Sequence, residues 1–353
     1  MITIAVALSI LLLLVILYLL FRIQVLASIF KGSYRQDVGK SNKVNAVLLL
    51  VFFFAMGALF IWSFADSWKD MILPLASEHG ADIDSMFWLT MVVIGIVFLL
   101  THILLFFYSY KYQHQDGKRA YYYPHNNKIE IIWTVIPAVV MALLVFSGWK
   151  TWARITSPAP QEAVVVEIMG KQFNWMVRYP GADNQLGIVK HTLVNATNEF
   201  GIDFTDQNAM DDFPSETSSF RVPKGQPVLL KIRSRDVIHS VFLPHFRVKM
   251  DAVPGMPTTF WFIPTKTTEE MQMETGNAEF QYELACTEVC GRGHFAMKMI
   301  MIVEEPEDYN SWVTEQSKKT FASNRQGATP AEGAEGGANN SAENGAVAAV
   351  TAQ

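Results

Sequence analysis

The sequence predicts a transmembrane α-helical anchor of four helices followed by an all-β domain outside the membrane. Half of the residues are hydrophobic and only 17% are charged, which is too apolar for a soluble domain of this length. The first part of the chain contains four apolar runs, each close to the roughly 20 residues that cross about 30 Å of hydrocarbon. Beyond residue 163 the pattern changes to short runs rich in Val, Ile and aromatic residues, which are typical of β-strands.

The four apolar runs cover residues 2–21, 44–64, 86–108 and 129–149. The first lacks both a basic leader and a small-residue cleavage site, so we interpret it as a retained anchor and not as a signal peptide. Lys and Arg dominate the connections after the first and third runs, whereas the connection after the second run is acidic. By the positive-inside bias, we expect both termini and the β-rich domain on the outer side of the membrane.

The β-rich part contains the strand-length runs AVVVEIMG, QPVLLKIRS, TTFWFIP, AEFQYELA and MKMIMIVEE, separated by turn sequences. They predict an antiparallel sandwich or barrel. Residues 199–216 hold six acidic residues and no basic one, which predicts a long surface loop that is either solvated or a docking patch for a basic partner. The composition after residue 317 predicts a disordered tail.

Both cysteines of the chain lie in the segment ACTEVCGRGHFAM, which also contains His294 and Met297. A disulfide, two inert buried thiols or a redox pair would each explain two nearby cysteines. However, two thiols, an imidazole and a thioether within twelve residues form a soft-donor set that suits copper. A mononuclear blue-copper site uses one cysteine, so the second one indicates a pair of copper ions with bridging thiolates. A second histidine is available at His239, in DVIHS.

Three motifs carry a resemblance to a known family. The loop from Cys286 to Met297 resembles the binuclear CuA loop, with the pattern Cys-x-Glu-x-Cys-x-x-x-His-x-x-Met. The segment DVIHS is similar to the segment that bears the family's first histidine ligand, and IEIIWTVIPAVVM resembles the second transmembrane helix of cytochrome c oxidase subunit II. On these motifs, the chain is identified as a member of that family.

The resemblance implies a cupredoxin-like Greek-key barrel as the fold of the outer domain and CuA, a centre of two copper ions, as its redox cofactor. Cys286 and Cys290 would bridge the copper ions, while His239 and His294 would each complete one of them. Met297 would be a weak axial ligand, and Glu288 would contribute its backbone carbonyl. The family also uses this glutamate side chain at a magnesium site that faces the catalytic subunit.

The implied function is that of the subunit through which electrons reach a terminal respiratory oxidase. CuA would accept single electrons from a cytochrome c type donor and pass them to the haem-copper catalytic subunit I, which reduces O2 to water and translocates protons. The expected partners are subunit I, other oxidase subunits, the donor and the lipid bilayer of a bacterial inner membrane, and no nucleic acid. Glu130 matches a family acid at the mouth of a proton pathway.

The chain departs from the family where electrons arrive from the donor. The family usually has Gly-x-Gln-Trp-x-Trp there and receives electrons at the first Trp, which is Phe173 in this chain. Trp175 is then the remaining candidate. Arg178 and Arg235 occupy positions that are often acidic, which argues against a strongly basic mobile donor. The donor would dock instead at the acidic loop around residues 211 and 212 or be held permanently in a larger respiratory assembly.

The predicted organisation has four parts. Residues 1–65 form an extra two-helix membrane segment, 66–152 the transmembrane hairpin typical of the family, 153–316 the outer domain with CuA, and 317–353 the tail. A quinol oxidase subunit would lack the copper ligands, and nitrous-oxide reductase is soluble. The alternative function is a membrane-anchored copper chaperone or assembly factor, which would have to release its copper.

Overall fold

The computed structural model describes residues 2–31, 40–115, 117–215 and 218–326 of the chain. Within them, four helices are long and apolar enough to cross a membrane, which confirms the predicted anchor. Their bounds are α1 Ile2–Phe30, α2 Lys40–Met71, α3 Glu78–Lys111 and α4 Asn127–Ile155. Almost all of their apolar side chains are exposed in the isolated chain, as expected for surfaces that face lipid or other subunits.

The chain divides into two compact units. The first contains most of the four helices, in residues 1–72 and 88–142. Within it, α2 contacts α3 through the stacked rings of Phe53 and Phe106, whose centroids are 4.7 Å apart. The second unit contains residues 73–87 together with everything from Leu143 onward, and it includes the β-domain.

The β-domain consists of two five-stranded sheets with the strand orders β3-β2-β1-β5-β8 and β4-β10-β9-β6-β7. The strands are β1 Val164–Lys171, β2 Asn174–Tyr179, β3 Phe213–Pro214, β4 Ser219–Pro223, β5 Val228–Ser234, β6 His239–Leu243, β7 Val248–Ala252, β8 Thr258–Phe262, β9 Tyr282–Cys286 and β10 Lys298–Glu304. Short helices α5 Thr268–Thr275 and α6 Pro306–Gln316 follow β8 and β10. All five of the predicted strand runs form strands.

The sheets are mixed and not purely antiparallel as the sequence predicted. β1 pairs in parallel with β5, and β4 pairs in parallel with β10. The reason is topological: between β3 and β5 the chain crosses to the other sheet to form β4, and it returns beside β1 running in the same direction. Such crossovers are typical of Greek-key domains, in which sequence neighbours do not always pair.

The core of the domain lies between the sheets and follows from the alternation of apolar residues along the strands. The inward residues are fully buried, including Ile168 on β1, Leu230 on β5 and Leu284 on β9. Residues on the opposite side of the same strands, such as Lys231 and Glu283, are partly or fully exposed. This is the pattern that a two-layer sandwich requires.

The connection between the second and third spans belongs to the β-domain. Ala76 lies in the core, Ser77 Oγ donates a hydrogen bond to Phe246 O at 2.7 Å, and Ser77 forms an isolated β-bridge with Pro264. Arg247 donates two hydrogen bonds to the carboxylate of Asp84, at 2.8 and 3.0 Å. The predicted boundary at residue 153 therefore leaves out a segment, residues 73–87, on which the β-domain packs.

The acidic stretch from residue 199 to 216 is not the solvated loop that the sequence predicted. Phe200, Ile202 and Ala209 within it are buried, because the stretch folds onto β1 and forms a second small core with Met169. Asp212 is fully buried and pairs with Arg178 at 2.7 Å, and Arg178 itself is buried. Neither side chain can contact a docking partner directly, which corrects the expectation for both. Glu216 lies outside the described residues.

The folded part of the chain continues beyond the predicted start of the tail at residue 317. A short helix, α7 Phe321–Gln326, follows α6. The backbone N–H of Phe321 donates to Asp212 O at 3.0 Å, and its ring lies edge-on to Phe200 with centroids 5.6 Å apart. An aromatic side chain thus anchors a segment whose average composition is polar. The remaining residues of the predicted tail, 327–353, lie outside the described part of the chain.

Candidate metal centre

Two neighbouring strands bring the predicted ligands to one edge of a sheet. β6 begins at His239, and its antiparallel neighbour β9 ends at Cys286, with Val241 opposite Cys286. Because antiparallel strands run in opposite directions, the start of β6 and the end of β9 lie at the same edge. The loop from Cys286 to β10 then returns to this edge with the other predicted ligands.

The donor atoms form a compact group. His239, Cys286 and Cys290 place their donor atoms within 4.8 Å of one another, which is the one cluster of His, Cys, Asp or Glu in the described chain that could hold a metal ion. Cys286 Sγ lies 3.9 Å from Cys290 Sγ and 3.8 Å from His239 Nδ1. Cys290 Sγ lies 3.7 Å from His294 Nδ1 and 3.8 Å from Met297 Sδ.

The backbone carbonyl and the side chain of Glu288 have different surroundings. Its carbonyl oxygen lies 3.3 Å from Cys286 Sγ, on the side of the metal cluster. Its side chain is exposed. The backbone carbonyl is therefore available to the cluster, whereas the side chain is exposed at the surface of the β-domain.

The two thiols are free and buried. Their 3.9 Å separation is far longer than the roughly 2.05 Å bond of a disulfide, so the arrangement does not support the disulfide interpretation. Burial, followed by the neighbouring Cys286, raises the pKa of Cys290 to about 11. A metal cation that binds here would have to displace this proton, which makes metal binding release protons.

His239 is oriented by a carboxylate that the sequence analysis did not assign to the site. Its Nε2 lies 2.8 Å from Asp236 Oδ1, and this hydrogen bond leaves Nδ1 as the ring atom that faces the thiols. Burial raises the pKa of Asp236, but hydrogen bonds from Gln172 N, His239 and Val237 N outweigh it and hold that pKa below its ordinary value. Such carboxylate–histidine pairs fix the tautomer of a metal ligand.

Trp175 is buried, whereas a residue that accepts electrons directly from a donor would have to lie at the surface. Its ring lies edge-on to His239, with centroids 5.9 Å apart, and the residue is only 1% exposed. A residue that touches a donor needs an exposed edge, so Trp175 cannot be the contact point itself. Phe173 is 41% exposed and packs against the cysteine loop.

Glu130 lies at the start of α4, in the helical unit. Its side chain accepts a hydrogen bond from the backbone N–H of Asn126 at 3.1 Å, while Asn126 Oδ1 accepts one from Ile129 N at 3.3 Å. The two side chains thus satisfy N–H groups at the helix start. This contact gives the carboxylate a structural partner and leaves its proton-uptake role a prediction.

Sequence reasoning missed three residues around the site, namely Gly170, Gln172 and Asp236. The spacing Asp-x-x-His in DVIH was a usable signal for Asp236, because a carboxylate three residues away can reach the same ring. No comparable signal exists for Gly170 and Gln172. They approach the ligands only because the β1–β2 hairpin folds over them.

Fold and site together define the class of the protein: a membrane-anchored protein whose cupredoxin-like β-domain carries a buried cluster of soft donors that could hold a metal ion. Comparison with known families makes this specific. The family described as "Cytochrome C oxidase subunit II, transmembrane domain" matches residues 65–150, and "Cytochrome C oxidase subunit II, periplasmic domain" matches residues 164–304. The chain belongs to the cytochrome c oxidase subunit II family.

Individual relatives agree with this membership. The "Alternative cytochrome c oxidase subunit 2" of Bradyrhizobium diazoefficiens is 33% identical over 280 residues, which cover 78% of this chain and 93% of the relative. The "Cytochrome c oxidase subunit 2" of Cereibacter sphaeroides is 26% identical over 267 residues, which cover 70% of this chain and 80% of the relative. A solved periplasmic domain of subunit II (CoxB) of Bradyrhizobium japonicum matches with 24% identity and a TM-score of 0.31, covering 46% of this chain and 98% of that one.

Family membership has direct consequences. The chain is a membrane-anchored subunit of an oxidoreductase complex, it associates with other oxidase subunits, and its periplasmic domain family implies copper binding. The resemblance seen in the sequence is thereby confirmed, as are the four-helix anchor and the β-domain.

Proposed function

We propose that this chain receives single electrons for a terminal respiratory oxidase at a binuclear copper centre, CuA, and passes them to the haem-copper catalytic subunit. One observation carries the proposal: both thiols lie between two imidazoles. His239 Nδ1 is 3.8 Å from Cys286 Sγ, and His294 Nδ1 is 3.7 Å from Cys290 Sγ. A mononuclear blue-copper site would leave one of the two thiols unused, and a tetrahedral zinc site with two Cys and two His would leave the nearby Met297 unused.

The residues present fit two copper ions. Cys286 and Cys290 would bridge them, His239 and His294 would bind one each, and Met297 and the carbonyl of Glu288 would add weak contacts. When bound, such a pair accepts one electron and shares it over both ions, which keeps the change at each ion small. The exposed carboxylate of Glu288 would hold magnesium at the boundary with the catalytic subunit.

The protein itself contributes a fixed orientation of the ligands and limited access of water to them. Asp236 keeps His239 in one tautomer and one orientation. The cysteines and Met297 are buried, which limits the access of water to these donors. The neighbouring Trp175 ring fills the space behind His239. A fixed geometry of this kind favours fast electron transfer over metal release.

The packing of the β-domain supports a proposal for the side of the membrane on which the metal centre lies. Residues 73–87 pack within it, so the connection between the second and third spans is on the same side as the metal centre. We assign this side to the periplasm of a bacterial inner membrane. With four spans, both termini are then periplasmic. Glu130, at the start of the fourth span, would be on the cytoplasmic side, where protons are taken up.

The donor, a cytochrome c type protein, would dock by apolar contact around Phe173. The nearby charges balance in sign: Lys171 and Arg235 both pair with Glu199, at 2.7 Å each, and the exposed residues Arg292, Glu288 and Asp236 add one positive and two negative charges. The rate of reduction by the native donor should therefore depend weakly on ionic strength and fall when Phe173→Ala is introduced. A steep salt dependence would point to a charged docking face elsewhere.

Electron paramagnetic resonance of the purified full-length chain loaded with copper tests the central proposal. A seven-line hyperfine pattern is expected, because the unpaired electron is shared by two copper nuclei. Met297→Leu should change this spectrum, whereas Met301→Leu, at a buried methionine on the following strand β10, should leave it unchanged. A four-line pattern in the unsubstituted chain would mean a mononuclear site.

Copper retention separates the proposal from the alternative of a copper chaperone or assembly factor. A centre with two bridging thiolates should keep its copper during dialysis against a mild chelator. A chaperone must transfer its copper, so loss of the metal under these conditions would favour that alternative.

A further inference from the structure

The turn between β1 and β2 touches both loops that carry the candidate ligands. Gly170 and Trp175 are opposite each other in this hairpin, and both lie against His239. A methyl group at position 170 would lie 2.8 Å from His239 Cδ2 and 3.0 Å from Trp175 Cζ3. Glycine at this position therefore leaves the space that the imidazole ring occupies.

Gln172, at the tip of the hairpin, forms hydrogen bonds with both ligand loops. Its backbone N–H donates to Asp236 Oδ2 at 2.7 Å, and Asp236 in turn holds His239 through its other oxygen. Its side-chain Nε2 donates to the carbonyl oxygen of Cys290 at 2.5 Å. One residue thus connects the histidine of β6 with the second cysteine of the loop after β9.

Phe173, the next residue, covers the backbone of the cysteine loop. A methyl group on Gly293 would lie 2.6 Å from Phe173 Cγ, and one on Gly291 would lie 3.0 Å from Phe173 Cε1. The two glycines therefore let the aromatic ring lie directly on the loop. Gly291 also has a φ of +131°, a conformation that other residues rarely adopt.

The cysteine loop has few other attachments. Apart from contacts within the loop from Cys286 to Met297, the Gln172 side chain provides the one hydrogen bond that residues 288–293 make in the described chain, while the preceding Thr287 N donates to Ser240 O at 3.2 Å. Val289 and Phe295 are exposed and do not anchor it. The position of Cys290 relative to His239 therefore depends on a neighbouring hairpin that provides no ligand itself.

We infer that the β1–β2 turn holds the two ligand loops in register and that Gln172 is the positioning residue that couples Cys290 to His239. This role concerns the same centre as the proposed function. The hairpin sets the distance between the thiols and the imidazole before any metal binds. Apo protein can therefore test the inference separately from copper binding.

The first experiment measures the reaction of the two thiols with a maleimide in the full-length, copper-free chain. Gln172→Met keeps the length of the side chain but cannot donate to Cys290 O, so the loop should open more often and the thiols should react roughly 5- to 10-fold faster. Lys171→Met is the matched control, because Lys171 in the same turn pairs with Glu199, outside the ligand loops. Equal rates for all three proteins would overturn the inference.

The second experiment uses the spectrum of the copper-loaded chain. Gln172→Met should alter the hyperfine splitting, and Gln172→Lys should restore it because an ammonium group can donate to the same carbonyl. Gly170→Ala should shift the spectrum through His239. If Gln172→Met lowers expression, Gly170→Ala still tests the hairpin through its contact with His239, and an unchanged spectrum in that variant would contradict the proposed role. A wild-type chain without the seven-line pattern would instead count against the proposed function.

Discussion

Asp212 lies in the acidic segment, residues 199–216, that folds over β1, and its carboxyl group is fully buried. Burial raises its pKa from 3.8 to about 6, opposed by Arg178 and by the backbone N–H of Gly187 and reinforced by the carboxylates of Glu167 and Asp211. Arg178 donates hydrogen bonds to both Asp212 and Glu167. The cluster holds the acidic segment against the sheet, so Asp212 has a structural role and is not available for docking.

The raised pKa of Asp212 predicts how stability depends on pH. The folded state binds this proton more tightly than the unfolded state, so the stabilisation is complete below pH 3.8 and is lost as the pH rises toward about 6. The loss is on the order of 3 kcal/mol, since each pKa unit corresponds to about 1.4 kcal/mol. Denaturant unfolding of the full-length chain should show this decline relative to Asp212→Asn, with a constant difference above pH 6. A difference that is independent of pH from 4 to 6 would contradict it.

At the scale of secondary-structure elements, residues 73–87 pack on the β-domain although they precede it in sequence. The segment joins two membrane spans, but its backbone bonds to the β-domain, for example through Ala76 N and His245 O at 2.8 Å. Arg247 forms an ion pair with Asp84 of the segment and also donates a hydrogen bond to Leu73 O at 2.8 Å. The β-domain thus includes residues that are separated from its first strand, β1, by the rest of α3 and by α4.

Removing the carboxylate of Asp84 should lower the stability of the β-domain. Its pair with Arg247 is bidentate and mostly shielded, with side-chain exposures of 30% and 17%, so Asp84→Ala should cost about 1–2 kcal/mol. Asp82→Ala is the matched control, because Asp82 pairs with Arg154, whose side chain is 62% exposed, and such pairs contribute little. Thermal unfolding of the two variants measures the difference. Equal midpoints would show that the Arg247 contact is not stabilising.

At the scale of the whole molecule, the arrangement of the chain across the membrane can be tested by labelling. Tyr122, between α3 and α4, is 85% exposed, and Met273, in α5 of the β-domain, is 70% exposed. A membrane-impermeant maleimide added to sealed, right-side-out vesicles should label Met273→Cys at once and Tyr122→Cys only after detergent is added. The native cysteines are buried and provide little background. Immediate labelling of both variants would contradict the proposed topology.

Much of the fold was predictable because its signals are local. Lengths of apolar runs determine which helices can span a membrane, and short β-rich runs between turn residues mark the strands. The parallel pairs β1–β5 and β4–β10 were missed because pairing depends on where the chain returns after crossing between sheets. The burial of the acidic segment was missed for a related reason. Its charged residues suggested that the segment is exposed to solvent, but Arg178 on β2 forms an ion pair with Asp212 of the segment.

The sequence by itself determined the chemistry of this protein: the anchor, the donor types at Cys286, Cys290, His294 and Met297, and the need for another histidine. These depend on residue identity and on spacing along one segment, which a sequence displays directly. Only the tertiary structure decided what surrounds the donors, including the Asp236 contact with His239, the Gln172 bond to Cys290 and the burial of Trp175. Those contacts join residues far apart in the chain, and they exist only because the β1–β2 hairpin and the β6 and β9 strands meet at one edge of the β-domain.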